Sequence, residues 1–246
     1  MPRRGRNKSK SGIYHVMVRG INRQNIFDDE EDRQKYITLL QKTKEISQCE
    51  FYGYCLMSNH VHMLVREGKE EISQIMKRIG VSYAYWFNGK YERSGHLFQD
   101  RYKSESVEDD SYLLAVLRYL HQEPVKTRLV DIIGDYPWSS YNAYIAKNPE
   151  GLIDTGLVLG LFKVQPGDAV NHYIQFMSEA NHIQYLEDKE KKKCSDDDIS
   201  CELAKLAEKK RVNGLNAIGK KERDEILRKL KAIEEISMKH IATLLP

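Results

Sequence analysis

Apolar and polar positions alternate over Gly12-Ile13-Tyr14-His15-Val16-Met17-Val18-Arg19-Gly20, a period of two that predicts a strand stopped by glycine. Asp28-Asp29-Glu30-Glu31-Asp32 then opens a helix, because carboxylates favour the positive end of a helix dipole. The helix runs to Ile46, with Tyr36, Leu39 and Leu40 at core spacing. Phe51 to Met57 and His60 to Arg66 read as two further strands, joined at Ser58-Asn59 by either a tight turn or a bulge. From Glu71 to Lys90 a second helix carries Ile72, Ile75, Met76, Ile79 and Tyr83 on one stripe. Gly95 to Val107 reads as a fourth strand, and Asp109-Asp110-Ser111 caps a third helix. That helix continues through Leu113, Val116, Leu117 and Leu120 to Glu123, where Pro124 is expected to end it.

The order strand, helix, two strands, helix, strand, helix predicts an α+β domain: a ferredoxin-like antiparallel sheet with helices on one face. It occupies residues 1–150. Residues 151–195 read as a helical connector, with a helix from Asp168 to Leu186 (Ala169, Tyr173, Phe176, Met177) and a charge run from Glu187 to Lys193. Residues 196–246 read as a C-terminal all-helical appendage, with Leu203, Leu206, Ile218, Ile226, Leu227, Leu230 and Ile233 as its apolar positions. Its last stretch, Ile236 to Leu245, reads either as the opening of a partial helix-turn-helix or as part of a plain helical interaction module.

Composition narrows the class. No apolar run approaches membrane-spanning length and the N-terminus lacks a signal-peptide core, so a soluble cytoplasmic protein without a membrane partner is expected. Cys49, Cys55, Cys194 and Cys201 are scattered without CxxC spacing, which argues against a zinc ribbon and against a disulfide scaffold. Charge is unevenly placed. Between Met1 and Arg23 stand Arg3, Arg4, Arg6, Lys8, Lys10, Arg19 and Arg23 with no carboxylate. Such an arm suits either a polyanion, bound through phosphates in a salt-dependent way, or a disordered solubilising tail. Arg101 and Lys103 add basic residues on the fourth strand.

The candidate chemistry centres on His60-Val61-His62. Alternate residues of a strand share a face, so the two imidazoles lie about 7 Å apart on one side, either half of a divalent metal site or two core, hydrogen-bonded histidines. On the third helix Tyr119 and Glu123 stand at i and i+4, on one face. If that helix lies over the histidines, the site gains a hydroxyl nucleophile and a carboxylate ligand, a set suited to Mg²⁺ or Mn²⁺; otherwise Tyr119 is a half-buried aromatic and Glu123 a solvated helix terminus.

Several motifs occur in order: Tyr14-His15-Val16 with Arg19-Gly20 and Asn22-Arg23-Gln24, Met57-Ser58-Asn59-His60-Val61-His62-Met63-Leu64-Val65, Gly95-His96-Leu97-Phe98-Gln99 with Arg101-Tyr102-Lys103-Ser104, and Arg118-Tyr119-Leu120-His121 with Glu123-Pro124-Val125. With Tyr136-Pro137-Trp138-Ser139-Ser140-Tyr141 they resemble the single-tyrosine HUH transposases, in particular the REP-associated tyrosine transposase branch, over roughly the first 145 residues. The resemblance implies a metal-dependent single-strand DNA endonuclease and strand transferase, working through a 5′-phosphotyrosine intermediate on hairpin DNA, often as a homodimer. His60 and His62 fall on the family's metal ligands and Tyr119 on its nucleophile. Glu123 stands where this branch commonly has Asn, and a carboxylate there serves as a third ligand. An enzyme of this kind works at the nucleoid. The alternative is a catalytically idle hairpin-DNA-binding protein of the same fold.

Overall fold

The computed structural model describes residues 8–146, 151–162 and 169–179. The expectations placed on Arg3, Arg4, Arg6 and on residues 180–246, including the partial helix-turn-helix, lie outside the described residues. The first strand, β1 (Ile13–Arg19), is buried along nearly its whole length, as a central strand should be. It leads through a 3-10 turn (Ile21–Arg23) to α1 (Glu30–Ser47). Asp29 caps α1 by accepting from Asp32 N–H, and the Asp32 side chain returns the bond to the Asp29 N–H. The buried Asp32 carboxylate also receives Lys90 Nζ at 2.9 Å and the Tyr91 hydroxyl at 2.9 Å, which ties the start of α1 to the end of α2 (Ile72–Lys90).

Strands β2 (Glu50–Met57) and β3 (His60–Arg66) form a hairpin with Ser58-Asn59 as a two-residue turn; the bulge lies instead at the far end, between Phe51 and Gly53. With β4 (Lys103–Ser106) the four strands make one antiparallel sheet in the order β2-β3-β1-β4, the ferredoxin-like arrangement. The fourth strand is much shorter than the run from Gly95 to Val107 suggested. Residues 97–99 do meet the end of β1, through an isolated antiparallel bridge between Gly20 and Phe98, but two residues out of register with β4, so residues 100–102 leave the ladder. Leu97 O there accepts from Ile21 N–H (2.9 Å) and Gln24 Nε2 (3.1 Å), while Gln99 N–H donates to Arg19 O (2.9 Å).

Register fixes which side chains share a face. Gly53, Cys55 and Met57 pair with Leu64, His62 and His60, which pair in turn with His15, Met17 and Arg19. The opposite face, with Val16, Val61, Met63 and Val65 fully buried, belongs to the core that includes Tyr36 and Leu40 of α1 and Ile75, Ile79 and Tyr83 of α2. Helices α1 and α2 pack against each other as the pair expected on one side.

The third helix, α3 (Asp110–Lys126), goes to the histidine face, where it packs on β2 and β3. Both faces of the sheet are therefore covered. A Cβ at Gly53 would stand 2.5 Å from Leu117 Cδ1, so the absent side chain leaves room for that leucine of α3 against the sheet. Pro124 does not end α3. It lies inside the last turn, where its missing N–H removes one bond, and Thr127 N–H still donates to Glu123 O at 2.9 Å. Glu123 consequently keeps helical geometry one turn beyond Tyr119.

Beyond the short α4 (Tyr141–Ile145), α5 (Thr155–Leu161) and α6 (Ala169–Ser178) pack with α4 and, for α6, with α3. Gln122 Nε2 donates to Met177 O (2.8 Å) and Glu179 O (2.6 Å), and Arg118 donates to Phe176 O (3.3 Å), so α3 satisfies the last carbonyls of α6. His121 points away from Tyr119, as the helical period requires. Its Nε2 pairs with Ser140 Oγ and its Nδ1 with the Tyr173 hydroxyl, both at 2.8 Å, and burial holds it neutral with a pKa near 3. Trp138 is half-buried against the core.

Candidate metal and nucleophile site

The α3-over-sheet geometry brings four predicted residues together. His60, His62 and Glu123 offer ligand atoms that all lie within 4.8 Å of one another. The ring of Tyr119 stands edge-on to that of His62, with centroids 5.4 Å apart. Strand periodicity supplies the two histidines and helix periodicity the tyrosine and carboxylate; packing of α3 on β2 and β3 joins them.

Hydrogen bonds fix the orientation of each imidazole. Asn59, in the hairpin turn, donates through Nδ2 to the carbonyl of Arg23 (3.3 Å), which can only accept. Its amide oxygen therefore faces His60 Nδ1 (2.6 Å) and accepts the ring hydrogen. The lone pair of His60 is left on Nε2, 2.6 Å from Glu123 Oε1. Two acceptors at that separation need a cation between them, either a proton or a metal ion.

His62 is oriented from the other side. Its Nδ1 lies 3.0 Å from His15 Nε2, and the tautomer in which Nδ1–H donates there leaves Nε2 facing Glu123 Oε2 at 3.6 Å. Burial, with smaller contributions from His15, His60 and Arg19, holds His62 well below the usual histidine range, so it is a neutral donor at physiological pH. Burial alone lowers His15 to about 3, so it too stays neutral.

The donor set fits a divalent cation. Glu123 is buried and its Oε2 has no hydrogen-bond partner, an arrangement that is costly for a carboxylate unless a cation completes it. Cys55 lies in the same cross-strand row as His62, but burial and the nearby Glu123 push its thiol well above the usual range, so no thiolate competes for the ion. Two imidazoles and one carboxylate suit Mn²⁺ or Mg²⁺, with remaining positions open to phosphate and water.

Basic residues border the site. Arg19 shares a row with His60, and Lys103 shares one with His62 through Met17; burial and the neighbouring Arg19 lower the Lys103 pKa. Arg23 is exposed at a positive φ of 59° beside the Asn59 turn, and Arg101 is exposed on the approach to β4. Lys8 instead pairs with Glu71 at 2.7 Å, and the Lys10 backbone N–H donates to Glu108.

Two positioning residues, His15 and Asn59, were not assigned roles by pattern alone. His15 alternates with core residues in β1 and looks like one of them. Asn59 looks like ordinary turn chemistry. The available signal was their placement: one on the strand paired with the histidine strand, the other immediately before His60. Replacing His15 by leucine keeps the apolar packing but removes the acceptor from His62 Nδ1. Mn²⁺ affinity measured by calorimetry is expected to fall by about 10- to 100-fold. An unchanged affinity would remove His15 from the site.

Comparison with known proteins bears on the fold. Residues 8–123 match the family model of IS200-like transposases. That stretch, a little under half of the chain, is similar to the family. A Haemophilus influenzae protein assigned as a REP-associated tyrosine transposase is 25% identical over 111 residues, an alignment covering 38% of this chain and 62% of that one. The chain thus spans a little under two thirds of that relative's length. The structure of a REP-associated tyrosine transposase bound to a REP hairpin superimposes with a TM-score of 0.50 at 18% identity, over 64% of this chain and 93% of that chain, a likeness of fold. A transposase from Deinococcus radiodurans aligns at 16% identity with a TM-score of 0.35, covering 50% of this chain and 98% of that one. Among the described residues no helix is long and apolar enough to cross a membrane.

Proposed function

We propose that this protein cleaves and rejoins single-stranded DNA beside a hairpin, with Tyr119 as nucleophile and His60, His62 and Glu123 as ligands of Mg²⁺ or Mn²⁺. The observation that supports it most directly is the seating of the Tyr119 ring against His62 while the buried Glu123, one turn on, turns both oxygens toward the histidines.

The chain's residues divide the work. A bound divalent ion supplies Lewis acidity toward a non-bridging oxygen of the scissile phosphate. Arg19 and Lys103, on the same face of the sheet, draw the polyanion toward it. The Tyr119 oxygen attacks phosphorus and loses its proton. The bond to the 3′ oxygen breaks, and that oxygen gains a proton as it leaves. The strand is then held as a 5′-phosphotyrosine beside a free 3′-hydroxyl. Because the phosphodiester is exchanged and not hydrolysed, attack by another 3′-hydroxyl reverses the chemistry and transfers the strand without ATP. The tyrosine and the histidines of this site come from one chain, which favours cleavage in cis even if two copies associate. Such an activity would place the protein at the nucleoid.

The test uses labelled hairpin oligonucleotides from repeats flanking the gene, incubated with the full chain in Mg²⁺, Mn²⁺ or EDTA. The expected product is a denaturation-resistant protein–DNA adduct that forms with either metal and not in EDTA. Tight hairpin binding with no adduct in any metal would identify the idle binder instead.

A further inference from the structure

Helix α3 does not stop plainly after the site. Arg128 N–H donates to Val125 O (3.0 Å) and Leu129 N–H to Pro124 O (2.9 Å), the pair of bonds that closes a Schellman cap. The left-handed position of such a cap is normally glycine. Here it is Arg128, with φ of 59°, a conformation that disfavours any side chain. The apolar residue after it usually folds back on the helix, yet Leu129 is 51% exposed. Two residues pack inward, Val130 and Ile133, while Ile132 between them is 64% exposed.

This cap adjoins the nucleophile. Lys126 Nζ lies over the Tyr119 ring, 5.0 Å from its centroid. Between Lys126 and Ile133 there are two cations, Lys126 and Arg128, and one carboxylate, Asp131. A strained arginine and two outward aliphatic side chains, continuous with a site for a phosphodiester, fit a strand that presents both phosphates and unstacked bases.

We propose that the cap and loop at residues 126–133 grip the unpaired strand next to the scissile phosphate, with Lys126 and Arg128 on phosphates and Leu129 and Ile132 against base faces. This rests on the transposase reading. The loop acts on single-stranded DNA and leaves hairpin recognition to other surfaces.

The full chain is titrated with oligothymidylate and, separately, with a fully paired hairpin, over a range of salt concentrations. Lys126→Gln and Arg128→Gly are each expected to lower the slope of log affinity against log salt for oligothymidylate by about 0.7, the value for one phosphate contact on a single strand. Leu129→Ser combined with Ile132→Ser should weaken oligothymidylate about tenfold with the slope unchanged, because apolar contacts release no counterions. Arg128→Gly should also raise the unfolding temperature, since glycine accepts the left-handed position; a purely structural residue would not lose binding while gaining stability. Hairpin affinity should match wild type in every variant. If wild type binds both probes and the variants match it on oligothymidylate, or lose hairpin binding equally, the loop's role is refuted while the transposase reading stands. Wild type that binds neither probe would refute both.

Discussion

Tyr119→Phe is expected to erase the covalent protein–DNA adduct and to lower strand cleavage by at least about a thousandfold, with hairpin affinity unchanged. The ring keeps its contacts with the neighbouring imidazoles, which need no hydroxyl. It stands edge-on to His62 at 5.4 Å and to His15 at 6.3 Å, and phenylalanine preserves both contacts. Loss of one hydroxyl changes stability by about 1 kcal/mol, so an unfolding curve run beside the assay separates chemistry from misfolding. The same geometry predicts that mixing Tyr119→Phe with His62→Ala restores nothing. Each chain assembles its own tyrosine and histidines, and neither variant can lend the other what it lacks. Cleavage that survives Tyr119→Phe would remove the tyrosine from the mechanism, and activity regained on mixing would replace the cis arrangement with a shared one.

The second large effect concerns Glu123. In wild type, Mn²⁺ at about a hundred times its dissociation constant should stabilise the fold by about 2.7 kcal/mol, read as a rise in unfolding temperature. In Glu123→Gln that rise should vanish, together with metal-dependent cleavage. The metal-free variant should be at least as stable as wild type. A glutamine amide can donate to the lone pair on His60 Nε2, where wild type places a carboxylate oxygen at 2.6 Å. It also removes a buried charge whose second oxygen has no hydrogen-bond partner. Equal stabilisation of variant and wild type by Mn²⁺ would show that the ion binds elsewhere.

Both predictions depend on residues that sequence patterns identify separately but cannot join. Alternation in β3 places His60 and His62 on one face, and the helical period places Glu123 one turn after Tyr119; each relation is local and independent of the rest of the chain. The acidic start of α1 and the Asp109 cap of α3 are equally local, and the helices begin where those residues stand. Where the pattern misleads, a distant contact intervenes. The run from Gly95 to Val107 has strand character, but its two paired stretches, Phe98 opposite Gly20 and β4 opposite β1, are two residues out of register, and the chain between them leaves the sheet. Pro124 is a helix terminator by type, yet the last turn of α3 tolerates it because only one donor is lost.

By itself, then, the sequence determined the three longer strands and three longer helices of the domain, the side of β3 that carries the imidazoles, and the spacing of nucleophile and carboxylate. Tertiary structure alone decided that α3 lies over that side of the sheet, where Gly53 leaves room for it. It also decided that His15 meets His62 across two strands and that Asn59, anchored by the Arg23 carbonyl, turns His60 toward Glu123. The reason is range: periodicity acts within a single turn or pleat, whereas a site assembled from a hairpin, a strand and a helix needs the register and packing of segments far apart in the chain, as His15 and Glu123 are.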